Sequence, residues 1–274
     1  MPLHINSITN DRSTSVLAWI LQKGMDECNS IFVSDDNKYF HIRREIRDLR
    51  TGDAIGELVY TVKHSDERLE VLDLDITWNS DELVSVQFDK LCKGSSESNE
   101  YYLAEVMDGG HFELETVNRY VIKNDLENTE NQVYISAFPF ELSVFPDIDS
   151  FNEWAGFKNE ITVGDTDIKV GGFSESFIMP GGIFKEDKSE EEHYSFLIGR
   201  VVDFRDVEIA FGEQIYSFVL AKVDTALGVI PIGIGREVFD LSEIQVDCIV
   251  AMNADVKADM ARKEDFKYPD GSRA

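Results

Sequence analysis

The chain of 274 residues carries 53 acidic against 26 basic side chains, a formal net charge of −27. A field of that sign repels nucleic-acid phosphates and anionic membranes, so we expect neither as a partner. No apolar run approaches the roughly 20 residues of a transmembrane helix, and the first residues lack the basic and apolar regions of a signal peptide. These features predict a soluble cytoplasmic protein. The acidic surplus also fits binding of a basic partner, or mimicry of nucleic-acid charge.

The cysteines and histidines show no ligand spacing. Cys28, Cys92 and Cys248 are far apart and form no CxxC pair, which argues against a disulfide framework or a structural zinc site. The five histidines are scattered, without HxH or HExxH spacing. The sequence therefore predicts no metal site, no cofactor and a reducing environment.

Alternation of apolar and polar side chains indicates strands through the first half of the chain. One helix is expected before them, over residues 13–24, where a hydroxyl cap precedes an apolar run that ends at Gly24. Residues 80–92 fit either a strand or a capped helix, and their β-branched content favours the strand. The expected strands are 38–46, 55–62, 72–78, 80–92, 101–106, 112–122 and 133–137.

The middle of the chain changes character. Residues 138–146 contain aromatic–proline steps that predict a compact connection. Residues 147–157 predict a short helix, with Asp147 as its N-cap and Gly156 near its end. A strand is expected over 174–179, between two glycine pairs.

Four β-branched runs follow, at 196–202, 215–223, 229–234 and 244–250. Gly199 and Gly233 lie inside two of these runs, where an internal glycine often marks a bulge or a bend. A short helix is expected over 236–242, and residues 252–262 are expected to be helical or irregular.

The order strand, strand, strand, short helix, strand over residues 194–251 resembles the small Greek-key barrel called the OB-fold. The resemblance implies architecture alone, because the acidic charge opposes oligonucleotide binding. The predicted fold class is α+β, mostly β, with an N-terminal antiparallel sheet domain and a C-terminal small OB-like barrel. The expected divisions are a β-rich domain at 1–146, a connecting region at 147–192, the barrel at 193–262 and a flexible tail at 263–274.

A basic cluster at Arg43, Arg44, Arg47 and Arg50 stands out in this acidic chain. His41, Arg43 and Arg47 share one face of the strand predicted there, so we expect a phosphate- or carboxylate-binding site. The alternatives are internal salt bridges to the abundant acids, or edge-strand charges that block aggregation.

Paired carboxylates occur at Asp73 with Asp75 and at Glu113 with Glu115, about 7 Å apart along each strand. Such pairs can help to bind a divalent cation, but no neighbouring ligand pattern completes a site. We therefore expect solvated strand faces. Glycine motifs near Gly172 and Gly233 lack the last glycine of a nucleophile elbow and of a dinucleotide fingerprint, so no catalytic residue is predicted.

The sequence thus favours a non-catalytic protein-binding module that meets a basic partner, of inhibitor or immunity type. One alternative is an enzyme whose site is assembled at the junction of the two domains. Another is a structural or assembly component. The oligomeric state is left open.

Overall fold

Strands dominate the structure, a computed structural model that describes residues 28–33, 38–65, 68–93, 100–106, 110–117, 126–157, 160–163, 166–169, 173–181 and 193–260. The described residues contain a single helix, α1 (Ile148–Phe157). The protein is therefore mostly β, as predicted. The helix expected at 13–24 lies outside the described residues. Within the described ranges no helix is long and apolar enough to cross a membrane.

The first sheet has four antiparallel strands in the order β1-β2-β3-β4. They are β1 (Ser30–Val33), β2 (Tyr39–Arg47), β3 (Ala54–Ser65) and β4 (Arg68–Trp78). Period-two alternation predicted β2, β3 and β4, and β2 and β3 pair as an antiparallel hairpin.

The remaining strands belong to a nine-stranded sheet, apart from the separate hairpin of β9 and β10. They are β5 (Val84–Lys93), β6 (Glu100–Val106), β7 (Gly110–Thr116), β8 (Thr129–Phe145), β9 (Glu160–Val163), β10 (Thr166–Lys169), β11 (Phe177–Pro180), β12 (Ser195–Phe211), β13 (Gln214–Thr225), β14 (Gly228–Gly235) and β15 (Ile249–Asp259).

Strands β8 and β15 are the shared elements of this larger sheet. Its order is β11-β12-β13-β14-β8-β15-β7-β6-β5, with additional pairings of β12 with β15 and of β8 with β5. The first additional pairing closes a circuit through β12, β13, β14, β8 and β15. The second closes a circuit through β8, β15, β7, β6 and β5. One continuous apolar core, which includes Phe88, Phe112, Ile135, Ile232 and Val250, lines both circuits.

Two sequence predictions fail at the shared strands. Residues 138–146 were expected to form a connection, but 138–145 belong to β8, and Pro139 pairs with Ala254 beside a register shift in the ladder. A proline is tolerated there because the ladder is already irregular. Residues 252–259, expected to be helical or irregular, continue β15. Pairing on both sides of β15 outweighs the local helix preference of Ala254 and Ala258.

The connection between β14 and β15 also differs from the prediction. The short helix expected at 236–242 is replaced by hydrogen-bonded turns, in which the N–H of Phe239 donates to the carbonyl of Gly235 at 3.0 Å. By contrast, α1 begins as predicted, because the N–H of Ser150 donates to Oδ1 of Asp147 at 2.8 Å. The division of the chain into domains stays a prediction.

The first sheet is covered on both faces. Its apolar face, with Leu58, Tyr60 and Ile76, packs against a cluster that includes Val207 and Phe218 of the β12–β13 hairpin. The opposite face is polar and meets the larger sheet at the end of β15. The fold therefore encloses a layer of charged side chains between two sheets.

Candidate functional site

The predicted anion-binding residues divide between this buried layer and the surface. Arg43 is 3% exposed, and its guanidinium donates to Asp259 at 2.6 and 2.9 Å and to Glu57 at 2.7 Å. Burial alone would lower the pKa of Arg43, but the charges of Asp259 and Glu57 outweigh it and raise the pKa. Arg43 therefore forms the internal salt bridges that were the alternative to anion binding.

His41 lies beside Arg43 and is fully buried. Among the described residues neither of its ring nitrogens has a hydrogen-bond partner. Burial, followed by the positive charge of Arg43, lowers the pKa of His41 to about 3, although Asp259 opposes the shift. His41 is thus neutral near pH 7, and it contributes no positive charge toward an anion.

Arg47 lies at the surface, where it donates to the carbonyl of Gly52 at 2.9 Å and pairs with Glu45. Together with Arg44 it lines a cleft of about 260 Å³ whose apolar wall includes Ile209 and Phe211. The structure brings His41 and Arg43 together in the buried layer and leaves Arg47 on the outside. Anion binding stays a prediction, and of its three predicted residues only Arg47 lines this cleft, beside the half-buried Arg44.

A second ionic cluster surrounds Lys257 of β15. Its ammonium group lies 3.0 Å from Oδ1 of Asp75 and also donates to Glu115, and all three side chains are buried. Burial alone would lower the pKa of Lys257, but the two carboxylates outweigh it and raise the pKa. His193 contacts the other oxygen of Glu115 and stacks on Tyr101 with ring centroids 4.7 Å apart.

The expectation of solvated carboxylate faces is therefore wrong. Asp73, Asp75, Glu113 and Glu115 are all buried, with exposures between 4% and 8%. Glu113 accepts the backbone N–H of Tyr194 at 3.0 Å. The polar faces of these strands are covered by other parts of the protein instead of water, since Asp75 meets Lys257 of β15 and Glu113 meets Tyr194 beside β12. Nothing in the local alternation distinguishes a covered polar face from a solvated one.

In each of these two clusters, a buried positive side chain and its carboxylate partners neutralise one another. Each buried cation is held by two carboxylates on different strands, so β15 is joined to β2, β3, β4 and β7. Removing one partner would leave a buried charge uncompensated, which is strongly destabilising. The arrangement explains how the sheets are held in register, and it requires no substrate.

A group of potential metal ligands lies on the outer face of the second circuit. Asp89 of β5, Glu105 of β6 and His111 of β7 place their donor atoms within 4.8 Å of one another. Nδ1 of His111 lies 3.7 Å from Oδ2 of Asp89. Antiparallel pairing of β6 with β7 puts Glu105 opposite His111, and the position of Asp89 depends on a β-bulge that no sequence pattern indicated.

The segment before β15 and the start of α1 lie together and expose both acidic and apolar side chains. Nε2 of Gln245 donates to the carbonyl of Pro146 at 3.1 Å, which holds the two elements together. Val246 is 50% exposed and Ile148 is 36% exposed. We call this surface the acidic face; its members are Asp147, Ile148, Asp149, Glu153, Glu243, Val246 and Asp247.

Comparisons of the chain with protein-family models, with curated proteins and with solved structures each found no match.

Proposed function

We propose that the protein is a non-catalytic binding module that captures a basic protein partner through its acidic face. A net charge of −27 favours fast association with a basic protein, as in inhibitor or immunity complexes. We place this function in the cytoplasm, in keeping with the three free cysteines.

The observation that carries this proposal is the combination of exposed apolar and acidic side chains on the acidic face. Exposed Ile148 and Val246 offer apolar surface that a partner can bury, and exposed Asp149, Glu153 and Glu243 add negative charge on the same two elements. An apolar centre with a charged rim is the usual anatomy of a protein interface. The rim charge selects partners with positive surfaces.

The disposition of the basic residues supports the same proposal. Several surface cations of the described chain pair with its own carboxylates, as Arg200 does with Glu175 and Arg236 does with Asp206. The buried cations Arg43 and Lys257 are neutralised in the same way. The surplus of negative charge consequently faces solvent, where a partner meets it.

The proposal also includes the fold of the strands around β8 and β15. We infer that the circuit of β12, β13, β14, β8 and β15 is an OB-like barrel, with β8 as its fifth strand. Support comes from the β12–β13–β14 meander, from the parallel contact of Ile232 with Ala137 and from the pairing of β15 with β12. An OB-fold has five strands, and the sequence pattern over residues 194–251 contains four. In the proposed barrel the fifth strand comes from earlier in the chain.

A charge-reversal experiment tests the proposed function. The variant Asp149→Lys, Glu153→Lys, Glu243→Lys changes the acidic face. The control variant Glu70→Lys, Glu213→Lys, Asp224→Lys reverses the same number of exposed acids elsewhere. Asp147 is left unchanged because it caps α1. Each purified protein is used to capture partners from lysate at low and high salt, and the captured proteins are identified by mass spectrometry.

We expect a basic protein that is retained at low salt, released at high salt and lost with the acidic-face variant, but kept by the control. Purified partner should then associate more slowly as salt increases, because screening removes long-range attraction. Equal loss with both variants would show that net charge alone, and not this face, attracts the partner. The absence of any specific partner at either salt would refute the binding function.

A further inference from the structure

We propose that Asp89, Glu105 and His111 form a binding site for a divalent first-row transition metal ion such as Zn²⁺. This site lies on β5, β6 and β7 and is independent of the acidic face. The ion would be held by one imidazole nitrogen and two carboxylate oxygens.

The donor geometry suits such an ion. Zinc bonds to histidine nitrogen and carboxylate oxygen at about 2.0–2.2 Å, so neighbouring donors of a tetrahedral ion are roughly 3.3 Å apart. Nδ1 of His111 and Oδ2 of Asp89 are already 3.7 Å apart. An oxygen of Glu105 lies within 4.8 Å of both, a separation that rotation of this half-buried side chain can close.

The backbone beneath the three ligands is rigid. Phe88, Ala104 and Phe112, which adjoin the ligands in sequence, are fully buried in the core. Phe88 pairs with Ala104 and Lys90 pairs with Leu103, so Asp89 is the extra residue of a β-bulge. Bulges re-aim side chains, and this one presents Asp89 toward the hairpin that carries Glu105 and His111.

The kind of donor selects the kind of metal. Imidazole favours zinc and its first-row neighbours over Mg²⁺ and Ca²⁺, which prefer all-oxygen sites. An ion pair between His111 and Asp89 at the surface would need no third residue, yet Glu105 places a second negative charge beside this pair. A divalent cation would offset the repulsion between the two carboxylates. With three protein ligands, the ion keeps a position for water or for an external ligand.

Binding of Zn²⁺ to tag-free protein is measured by titration calorimetry, with Co²⁺ absorption as a second readout of nitrogen and oxygen coordination. We expect one site per chain that weakens by at least about tenfold in His111→Ala and in Asp89→Asn, because loss of an outer-shell partner alone typically costs 10–100-fold. Binding should also weaken on acidification, because the imidazole must be deprotonated to coordinate.

Two controls distinguish this site from incidental binding. His64→Ala removes another exposed histidine, on β3, and should leave the affinity unchanged. Cys92→Ser should also bind as the wild type does, which excludes a thiolate site on the same strand. Circular dichroism confirms that each variant folds, and Glu105→Gln provides a third ligand variant.

Zinc affinity that is unchanged in His111→Ala, or that falls equally in His64→Ala, would overturn the proposal. So would the absence of binding by the wild-type chain at millimolar Zn²⁺ or Co²⁺. These outcomes are independent of partner capture by the acidic face.

Discussion

The Nζ atom of Lys257 lies 3.0 Å from a carboxylate oxygen of Asp75, and only 3% of the lysine side chain and 6% of the aspartate side chain are exposed. This pair joins β15 of the larger sheet to β4 of the first sheet. Glu115 of β7 binds the same ammonium group. These ion pairs thus connect three strands that are remote in sequence.

Replacing Lys257 with methionine tests how much these ion pairs contribute to stability. Lys257→Met leaves Asp75 and Glu115 buried without their cation, and we expect it to destabilise the protein by about 3–5 kcal/mol. Urea denaturation measures the change in the free energy of unfolding. The matched control is Lys222→Met, since Lys222 pairs with Asp81 at the surface and should contribute at most about 1 kcal/mol. Equal effects of the two substitutions would show that the buried ion pairs of Lys257 matter no more than a surface pair.

The low pKa of the buried His41 predicts that the folded protein loses stability in acid. Its pKa falls from the usual 6.5 to about 3 in the folded protein, mainly because of burial, with Arg43 adding to the shift and Asp259 opposing it. Below about pH 6.5 the unfolded chain therefore binds a proton that the native protein does not, so the free energy of unfolding decreases as pH falls towards 3. The loss approaches about 1.4 kcal/mol per pH unit.

In the variant His41→Leu this part of the pH dependence should be absent. Urea denaturation at a series of pH values between 7 and 4 measures the difference between variant and wild type. His64→Leu, which changes an exposed histidine, should retain the wild-type slope. A His41→Leu slope equal to that of the wild type would show that His41 does not resist protonation.

Gly233 should tolerate no side chain, since a Cβ there would lie 2.7 Å from Cζ2 of Trp78. The indole cannot retreat easily, because it packs against Phe218 with centroids 5.2 Å apart and against Phe138 at 6.0 Å. We expect Gly233→Ala to cost about 1–3 kcal/mol. In the Trp78→Phe background the cost should shrink, and a double-mutant cycle measures this coupling. Strictly additive effects would contradict a direct clash.

The three cysteines should differ in reactivity. Cys28 and Cys92 are partly exposed, whereas Cys248 is fully buried and burial raises the pKa of its thiol. A thiol reagent should therefore modify Cys28 and Cys92 in the native protein, and Cys248 only after unfolding. Peptide mass spectrometry with and without denaturant identifies the modified residues. Rapid native labelling of Cys248 would show that the core opens there.

Local patterns predicted much of the secondary structure. Alternation located β2 and β3, and the capping aspartate located the start of α1, because both signals depend on residues close in the chain. Gly233 was expected at a bulge or bend, but its ladder shows no register shift, and the approach of Trp78 accounts for it. A close approach by a distant side chain leaves no trace in the neighbouring sequence.

Local sequence patterns were equally limited at the candidate site residues. His41 and Arg43 were assigned correctly to one strand face, yet the sequence could not show that this face meets Asp259 of β15. Asp73 and Asp75 were expected in water because acidic residues alternate with apolar ones in solvated strands as well. The Asp89, Glu105 and His111 group depends on register and on a bulge, which are set by pairing between strands.

Composition alone established the strong negative charge, and period-two alternation established a β-rich chain. Long-range packing established that β8 and β15 belong to two circuits at once and that a charged layer is enclosed between two sheets. The physical reason is that alternation assigns each side chain to one of two faces without saying what covers that face. What covers a face depends on strand pairing and ion pairs between residues far apart in the chain, such as the pairing of Lys257 with Ser136 and its ion pair with Asp75.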